Sequence, residues 1–117
     1  MGNATAADFT VTPGQVSYSG GPDWGMRRFI LHNAALCAAA GGVAAFCIGS
    51  EIRSLTQIRG ANGFPALTAL QDLAAQVRLL LPEAKISYAA EWSEYWGYQS
   101  PEGNRYFHRE PLWGDAN

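Results

Sequence analysis

Two runs of strand length constrain this chain more than anything else in it. VAAFCI, residues 43–48, follows directly on Gly41-Gly42, and KISYAA, residues 85–90, follows Pro82-Glu83-Ala84. The first is continuously apolar, as in a parallel strand covered on both faces, and the second reads as another strand. A segment with helical spacing precedes each run. From about Asp23, an N-cap candidate, Met26, Ile30, Ala34 and Cys37 fall on one side, flanked by Phe29, Leu36 and Ala40, with Asn33 intruding. Pro65 marks the start of a second helix. There Leu67, Leu70, Ala74, Val77 and Leu81 form an apolar stripe, and Gln71, Asp72, Gln76 and Arg78 take the other side. Gly41-Gly42 supplies a left-handed cap for the first helix, and Pro82 stops the second. The order helix, strand, helix, strand, with short turns into the strands and long loops out of them, predicts an α/β fold with a parallel sheet.

Ahead of the first helix, residues 1–8 are small and polar and are expected to be loose. FTVTPGQVSYS alternates on either side of Pro13-Gly14, which predicts a short β-hairpin or an ornamented loop. Gly20-Gly21-Pro22 then breaks the chain. This divides it into an N-terminal extension with the hairpin, 1–22, and a main body, 23–117.

A chain of 117 residues allows one small domain, and at 48% hydrophobic and 15% charged it is too apolar to be disordered. The net charge is −2 with no basic run. Phosphate binding needs clustered Lys and Arg, so nucleic acid is not an expected partner. No apolar stretch reaches the roughly 18 to 20 residues of a membrane span. MGNATAADFT lacks both a basic and an apolar region, so no signal peptide is expected. Cys37 and Cys47 lack metal-ligand spacing and read as small buried apolar residues in a reducing compartment rather than as a disulfide. There is no Gly-rich phosphate loop, no HExxH and no Ser-centred elbow, and neither a metal nor a cofactor is expected.

Each run delivers a carboxylate at its end, Glu51 after the first and Glu91 after the second. Functional loops of parallel sheets leave the carboxyl ends of the strands. Period-two alternation then sets sidedness. With Glu51 pointing inward, Gly49, Cys47 and Ala45 line the inner face, and Phe46 and Ile48 meet the helices. With Glu91 inward, Ala89 and Ser87 follow it, and Tyr88 and Ile86 face outward. If the strands pair, at about 4.8 Å, the two acids come within reach of one another. Paired carboxylates suit glycoside hydrolysis, in which one protonates the leaving oxygen and the other attacks or activates water. Alternatively, Glu51 caps the following segment or pairs with Arg53 or Arg59. Glu91 and Glu94 carry a weaker signal, because loop carboxylates are usually solvated.

The second long loop, EWSEYWGYQSPEGNRYFHREPLW, is dense in Trp92, Tyr95, Trp96, Tyr98, Tyr106, Phe107 and Trp113. Aromatic rings at a cleft rim offer flat apolar faces that stack on sugar rings. Several of these are expected to roof the core, and Trp92 or Trp96 to stand exposed in the cleft. His108 is a candidate acid, base or hydrogen-bond donor, or else structural. His32, mid-helix, reads as solvated or capping.

RRFILHNAALCAAAGGVAAFCIGSEIRSLTQIRG, then FPALTALQDLAAQVRLLLPEAKISYAAEWSEYWGY, with YFHREPLW behind it, resembles the TIM-barrel-like domain of gene transfer agent and phage tail host-specificity proteins. The resemblance runs from about Val16 to Asp115. It implies a glycoside-hydrolase-like (β/α)8 barrel in the tail of a phage-like particle, facing host envelope polysaccharide or peptidoglycan and touching other tail proteins. Within it, residues 43–48 look like strand four, and Glu51 stands where barrel glycosidases place the general acid/base. Glu91 is then the second catalytic candidate of this chain, and Trp92, Glu94, Trp96, Arg53 and His108 are the substrate-binding ones. The strand that carries the nucleophile in such enzymes, strand seven, is not among these residues.

A complete barrel takes about 250 residues and eight strands. The chain thus reads as a partial TIM-barrel-like fragment with two core parallel strands, two main helices and an N-terminal hairpin or loop. With its open strand edges it is expected, alone, to be marginal, aggregation-prone or dependent on self-association. Three functions are compatible with these residues. The first is a fragment of a hydrolase that binds or cleaves envelope glycan. The second is a non-catalytic glycan-binding or structural tail component. The third is an unrelated small α/β domain with incidental acids.

Overall fold

A computed structural model of the chain describes residues 1–94 and 98–106. Its centre is the expected parallel pair, β3 (Ala45–Ser50) and β4 (Lys85–Ala89). Ala45 pairs with Lys85, Phe46 with Ile86 and Cys47 with Ser87; an irregularity between Cys47 and Ser50 then brings Ser50 opposite Ala89. Two helices cover the pair, α1 (Met26–Ala39), which precedes β3, and α3 (Pro65–Leu80), which lies in the crossover from β3 to β4. The described residues form no closed barrel; the parallel pair with its helices is consistent with the expected partial barrel unit.

The helices cover one face of the ladder. Ile48, Ile86 and Tyr88 are buried there with Leu31, Ala34 and Ala35 of α1 and Leu67, Leu70, Leu73 and Val77 of α3. On the opposite face Ala45, Cys47, Ser87 and Ala89 are exposed. Burial on both faces, the expectation from the first run, is therefore met only on the helical side. The uncovered side carries small residues, the side that a closed barrel turns toward its axis. Cys47 is accordingly an exposed thiol and not a buried one, and Cys37 is half-buried; both are free.

The first helix begins at Met26, with Gly25 rather than Asp23 at its N-cap. One guanidinium nitrogen of Arg28 lies 3.3, 3.1 and 3.3 Å from the carbonyl oxygens of Gly21, Pro22 and Asp23, and so ties down the segment that precedes the helix. The Arg28 guanidinium is itself sandwiched between the Tyr18 and Trp24 rings, at 3.9 and 3.8 Å from their centroids. The buried stripe of α1 is Arg27, Leu31, Ala34 and Ala35, one position round from the expected one; Met26, Ile30 and Cys37 pack at its margin. Arg27 can be buried because its Nε donates to the Ala4 carbonyl at 2.5 Å and its Nη2 meets Asp72 at 2.6 Å. The helix ends as expected. Gly41 and Gly42 have φ of 107° and 96°, and the Gly42 N–H returns to the Cys37 carbonyl at 2.8 Å.

Arg27 also explains a correction at the N-terminus. Residues 1–8 are not loose: Ala4 and Ala6 are buried and Ala6–Asp8 form a 3-10 turn. The Ala6 N–H donates to Gln76 Oε1 at 2.8 Å, so both main helices hold this segment. The hairpin follows as β1 (Phe9–Thr12) and β2 (Gln15–Tyr18), joined by Pro13-Gly14. Gly14 has φ 74°, the positive value required of the residue after proline in a type II turn, and its N–H donates to the Ala39 carbonyl at 2.8 Å. His32 is half-buried within ring-contact distance of Phe9 and Trp24, and is not a solvated residue.

Two small elements lie inside segments read as loops. A single turn of helix, α2 (Arg53–Thr56), follows β3, and β5 (Tyr98–Gln99) pairs antiparallel with β6 (Arg105–Tyr106) beyond β4. Four residues and two residues are too short for any periodicity to register.

Candidate functional site

Both strand-end acids lie beside the paired tips of β3 and β4. Ser50 is opposite Ala89, and the next N–H, that of Glu51, donates to the Ala89 carbonyl at 2.9 Å. Glu91 comes two residues after Ala89. The ladder thus brings Glu51 and Glu91 to one end of the sheet, the end from which both loops depart.

Glu51 has an unusual backbone. Its φ is 53°, the left-handed region, and it is the one non-glycine residue with positive φ among the described residues. A side chain in that region costs on the order of 1 kcal/mol. The turn diverts the chain from β3 into α2, whose first residue is Arg53. Glu51 and Arg53 are both exposed, and no ion pair joins Glu51 to another described residue. The strand irregularity matters here. Strict alternation carried from Cys47 would place Gly49 on the uncovered face, yet a Cβ built on Gly49 meets the Tyr88 ring at 3.4 Å and Met26 Cε at 3.5 Å. Position 49 therefore faces the helical side, and the orientation of Glu51 is set by its own backbone rather than by strand parity.

Glu91 and Glu94 are both engaged locally. Glu91 is half-buried and one of its carboxylate oxygens accepts from the N–H and the hydroxyl of Ser93. It closes a tight turn in which the Glu94 N–H donates to the Glu91 carbonyl at 2.9 Å. Glu94 is only 4% exposed. Its Oε1 accepts from the Tyr88 hydroxyl at 2.8 Å and the Thr56 hydroxyl at 2.9 Å, and its Oε2 accepts from the Glu91 N–H at 2.9 Å. A buried carboxylate without such donors would be costly, and here three neutral donors from α2, β4 and the following loop converge on it. Tyr88 in turn accepts the Ile52 N–H at 2.8 Å. Burial, reinforced by the neighbouring Glu94 carboxylate, pushes the Tyr88 phenol well above the ordinary tyrosine range, although the bond from Ile52 works the other way.

Trp92, next to Glu91, is 79% exposed. Its indole offers an open apolar surface at the end of the sheet that carries Glu51. Trp96 and His108, with Tyr95, Phe107 and Trp113, lie outside the described residues. Tyr88 and Thr56 were not singled out from the sequence. Tyr88 reads there only as an outward strand residue, and it is their shared bonding to Glu94 that gives Tyr88 and Thr56 a role at the site.

The arrangement offers an exposed carboxyl on the loop after β3 and, on the loop after β4, an exposed indole that can stack against a ring. Among the described residues no group of His, Cys, Asp and Glu is arranged to hold a metal ion. No described helix is long and apolar enough to cross a membrane. Residues 24–117 match the family model of the GTA TIM-barrel-like domain. No curated protein and no solved structure gives a significant match to the chain.

Proposed function

The chain belongs to the GTA TIM-barrel-like domain family, and from that premise we propose that it forms part of a glycoside-hydrolase-like tail domain that engages host envelope polysaccharide or peptidoglycan. In this reading Glu51 is the general acid/base, and Trp92, Trp96, Arg53 and His108 contact the sugar. The particle is phage-like, and other tail proteins are its neighbours. The observation that carries the reading is Glu51 itself. An exposed acid kept in a strained conformation at the tip of a parallel strand is more readily explained by use than by stability.

Hydrolysis requires a second carboxylate. One at about 5 to 5.5 Å from Glu51 serves a retaining reaction, and one at about 6.5 to 9.5 Å serves an inverting one. Glu91 is the candidate within this chain. Its engagement with Ser93 favours a second reading, in which the domain grips glycan without turning it over.

Glu51→Gln separates the two. Glycan cleavage is measured with a protein that carries the complete barrel, and binding of peptidoglycan fragments is measured with this chain. The hydrolase reading expects cleavage to be abolished and binding to persist. Unchanged cleavage removes Glu51 from the mechanism. Absence of cleavage by the protein with the complete barrel, with binding retained, leaves the gripping role. Absence of binding to any envelope glycan overturns both.

A further inference from the structure

We infer that Glu94 is a positioning residue, which holds Glu51 in its left-handed conformation through the hydroxyl of Tyr88 and the backbone N–H of Ile52. The chain of contacts is short. The Tyr88 hydroxyl donates its proton to Glu94 Oε1 at 2.8 Å, with Oε2 at 3.1 Å, and its oxygen then accepts the Ile52 N–H at 2.8 Å. Ile52 is the residue directly after Glu51 and the N-cap of α2. Its N–H belongs to the peptide that follows Glu51, so its direction is fixed by the backbone angles at position 51. On the other side, the Glu51 N–H is fixed to the Ala89 carbonyl at 2.9 Å. The residue is thus clamped by its two flanking peptides.

Glu94 also fixes the far end of the same turn. Thr56, the last residue of α2, is 1% exposed, and its hydroxyl donates to Glu94 Oε1 at 2.9 Å. One buried carboxylate therefore engages the turn at its beginning, through Tyr88, and at its end, through Thr56. Its third donor, the Glu91 N–H at 2.9 Å, ties in the loop after β4. Left-handed backbone at a residue with a side chain persists only where the surroundings over-determine it. These contacts are the surroundings that do so here. Because Tyr88 stays a neutral phenol across the whole neutral range, its oxygen remains donor to Glu94 and acceptor for Ile52 together.

Glu94 thus acts through Tyr88, and substrate contact is not its role. The assignment does not depend on the identity of the ligand and stands apart from the glycan reading. Its test needs no ligand either. In the wild-type chain, hydrogen–deuterium exchange followed by NMR is expected to show the Ile52 amide protected at least about tenfold, the factor that corresponds to one good hydrogen bond. In Tyr88→Phe and in Glu94→Gln that protection falls, and the Glu51 Cα and amide signals leave their left-handed positions, while Val77 in the core keeps its protection. Glycine adopts the left-handed region without strain. The loop signals are therefore expected to stay in place when Tyr88→Phe is combined with Glu51→Gly. A rescue of this kind distinguishes holding position 51 from general support of the fold. Should Tyr88→Phe fail to fold, Glu94→Gln and the wild-type exchange rate decide. An Ile52 amide exchanging at the unprotected rate overturns the inference, as do Glu51 signals unmoved in a folded Tyr88→Phe or Glu94→Gln.

Discussion

The Thr56 hydroxyl donates to Glu94 Oε1 at 2.9 Å across 38 residues of sequence, inside the protein. This one contact joins the loops that leave β3 and β4. It means that Glu51 and Trp92, one on each loop, are carried by a single braced unit rather than by two independent turns.

Glu51→Gly relieves left-handed strain of about 1 kcal/mol, offset in part by the freedom glycine gives the unfolded chain, and is expected to leave the fold as stable or slightly more so. The melting temperature should hold or rise slightly for a domain of this size. Glycan binding or cleavage should fall in the same variant. Stability kept or gained, paired with a loss of function, marks a residue kept for its chemistry. A drop in melting temperature larger than the glycine entropy term, about 1 kcal/mol, means that position 51 is not strained.

Alkaline titration tests the burial of the Tyr88 phenol beside Glu94. Tyr88 has its folded pKa raised above the unfolded value of 10.0. The raised group costs nothing while both states are protonated. Its contribution is therefore fully present below about pH 10, and it is lost as pH climbs from there toward the folded value. Urea denaturation at pH 10 to 12 is expected to show stability falling more steeply in wild type than in Tyr88→Phe. The difference is one proton, about 1.4 kcal/mol per pH unit. Equal slopes in the two proteins mean that Tyr88 ionises as freely in the folded state as in the unfolded one.

Trp92→Ala removes an indole that is 79% exposed. Stability should change by no more than about 0.5 kcal/mol. Affinity for envelope glycan should fall about three- to tenfold, the worth of one ring stacked on another apolar face. Intact affinity assigns the ring to another surface role.

Cys47 sits on the uncovered face of β3, and Cys37 is half-buried on α1. A maleimide reagent should modify Cys47 well ahead of Cys37 in this chain. In a protein that carries the complete barrel, Cys47 should become slow. Reaction at equal rates in this chain would place Cys47 under cover already.

Much of the frame was legible in the residues. The two runs gave both strands to within two residues, Pro65 gave the start of α3, and Gly41-Gly42 gave the cap of α1, because each acts through local sterics. The buried stripe of α1 lies one position round from the expected one because it includes Arg27, a charged residue that is accommodated by Ala4 and Asp72, which are remote in sequence. The same contact explains why the small polar N-terminus docks rather than floats. At the site, the adjacency of the Glu51 and Glu91 strand tips followed from strand pairing. The left-handed turn at Glu51 did not, because the irregularity between Cys47 and Ser50 breaks the alternation from which sidedness was read. Glu94 looked like a solvated loop acid. Its burial depends on a tyrosine six residues back and a threonine on another loop, and no local pattern encodes either.

The small residues on the open side of the ladder have a consequence for whatever meets it. Ala45, Cys47, Ser87 and Ala89 project little beyond the backbone, so they leave depth above the sheet without filling it. Bulk for that space must come from other strands or from a guest, and the shape of those contributors, rather than of these four residues, will determine how wide the opening beside Glu51 becomes.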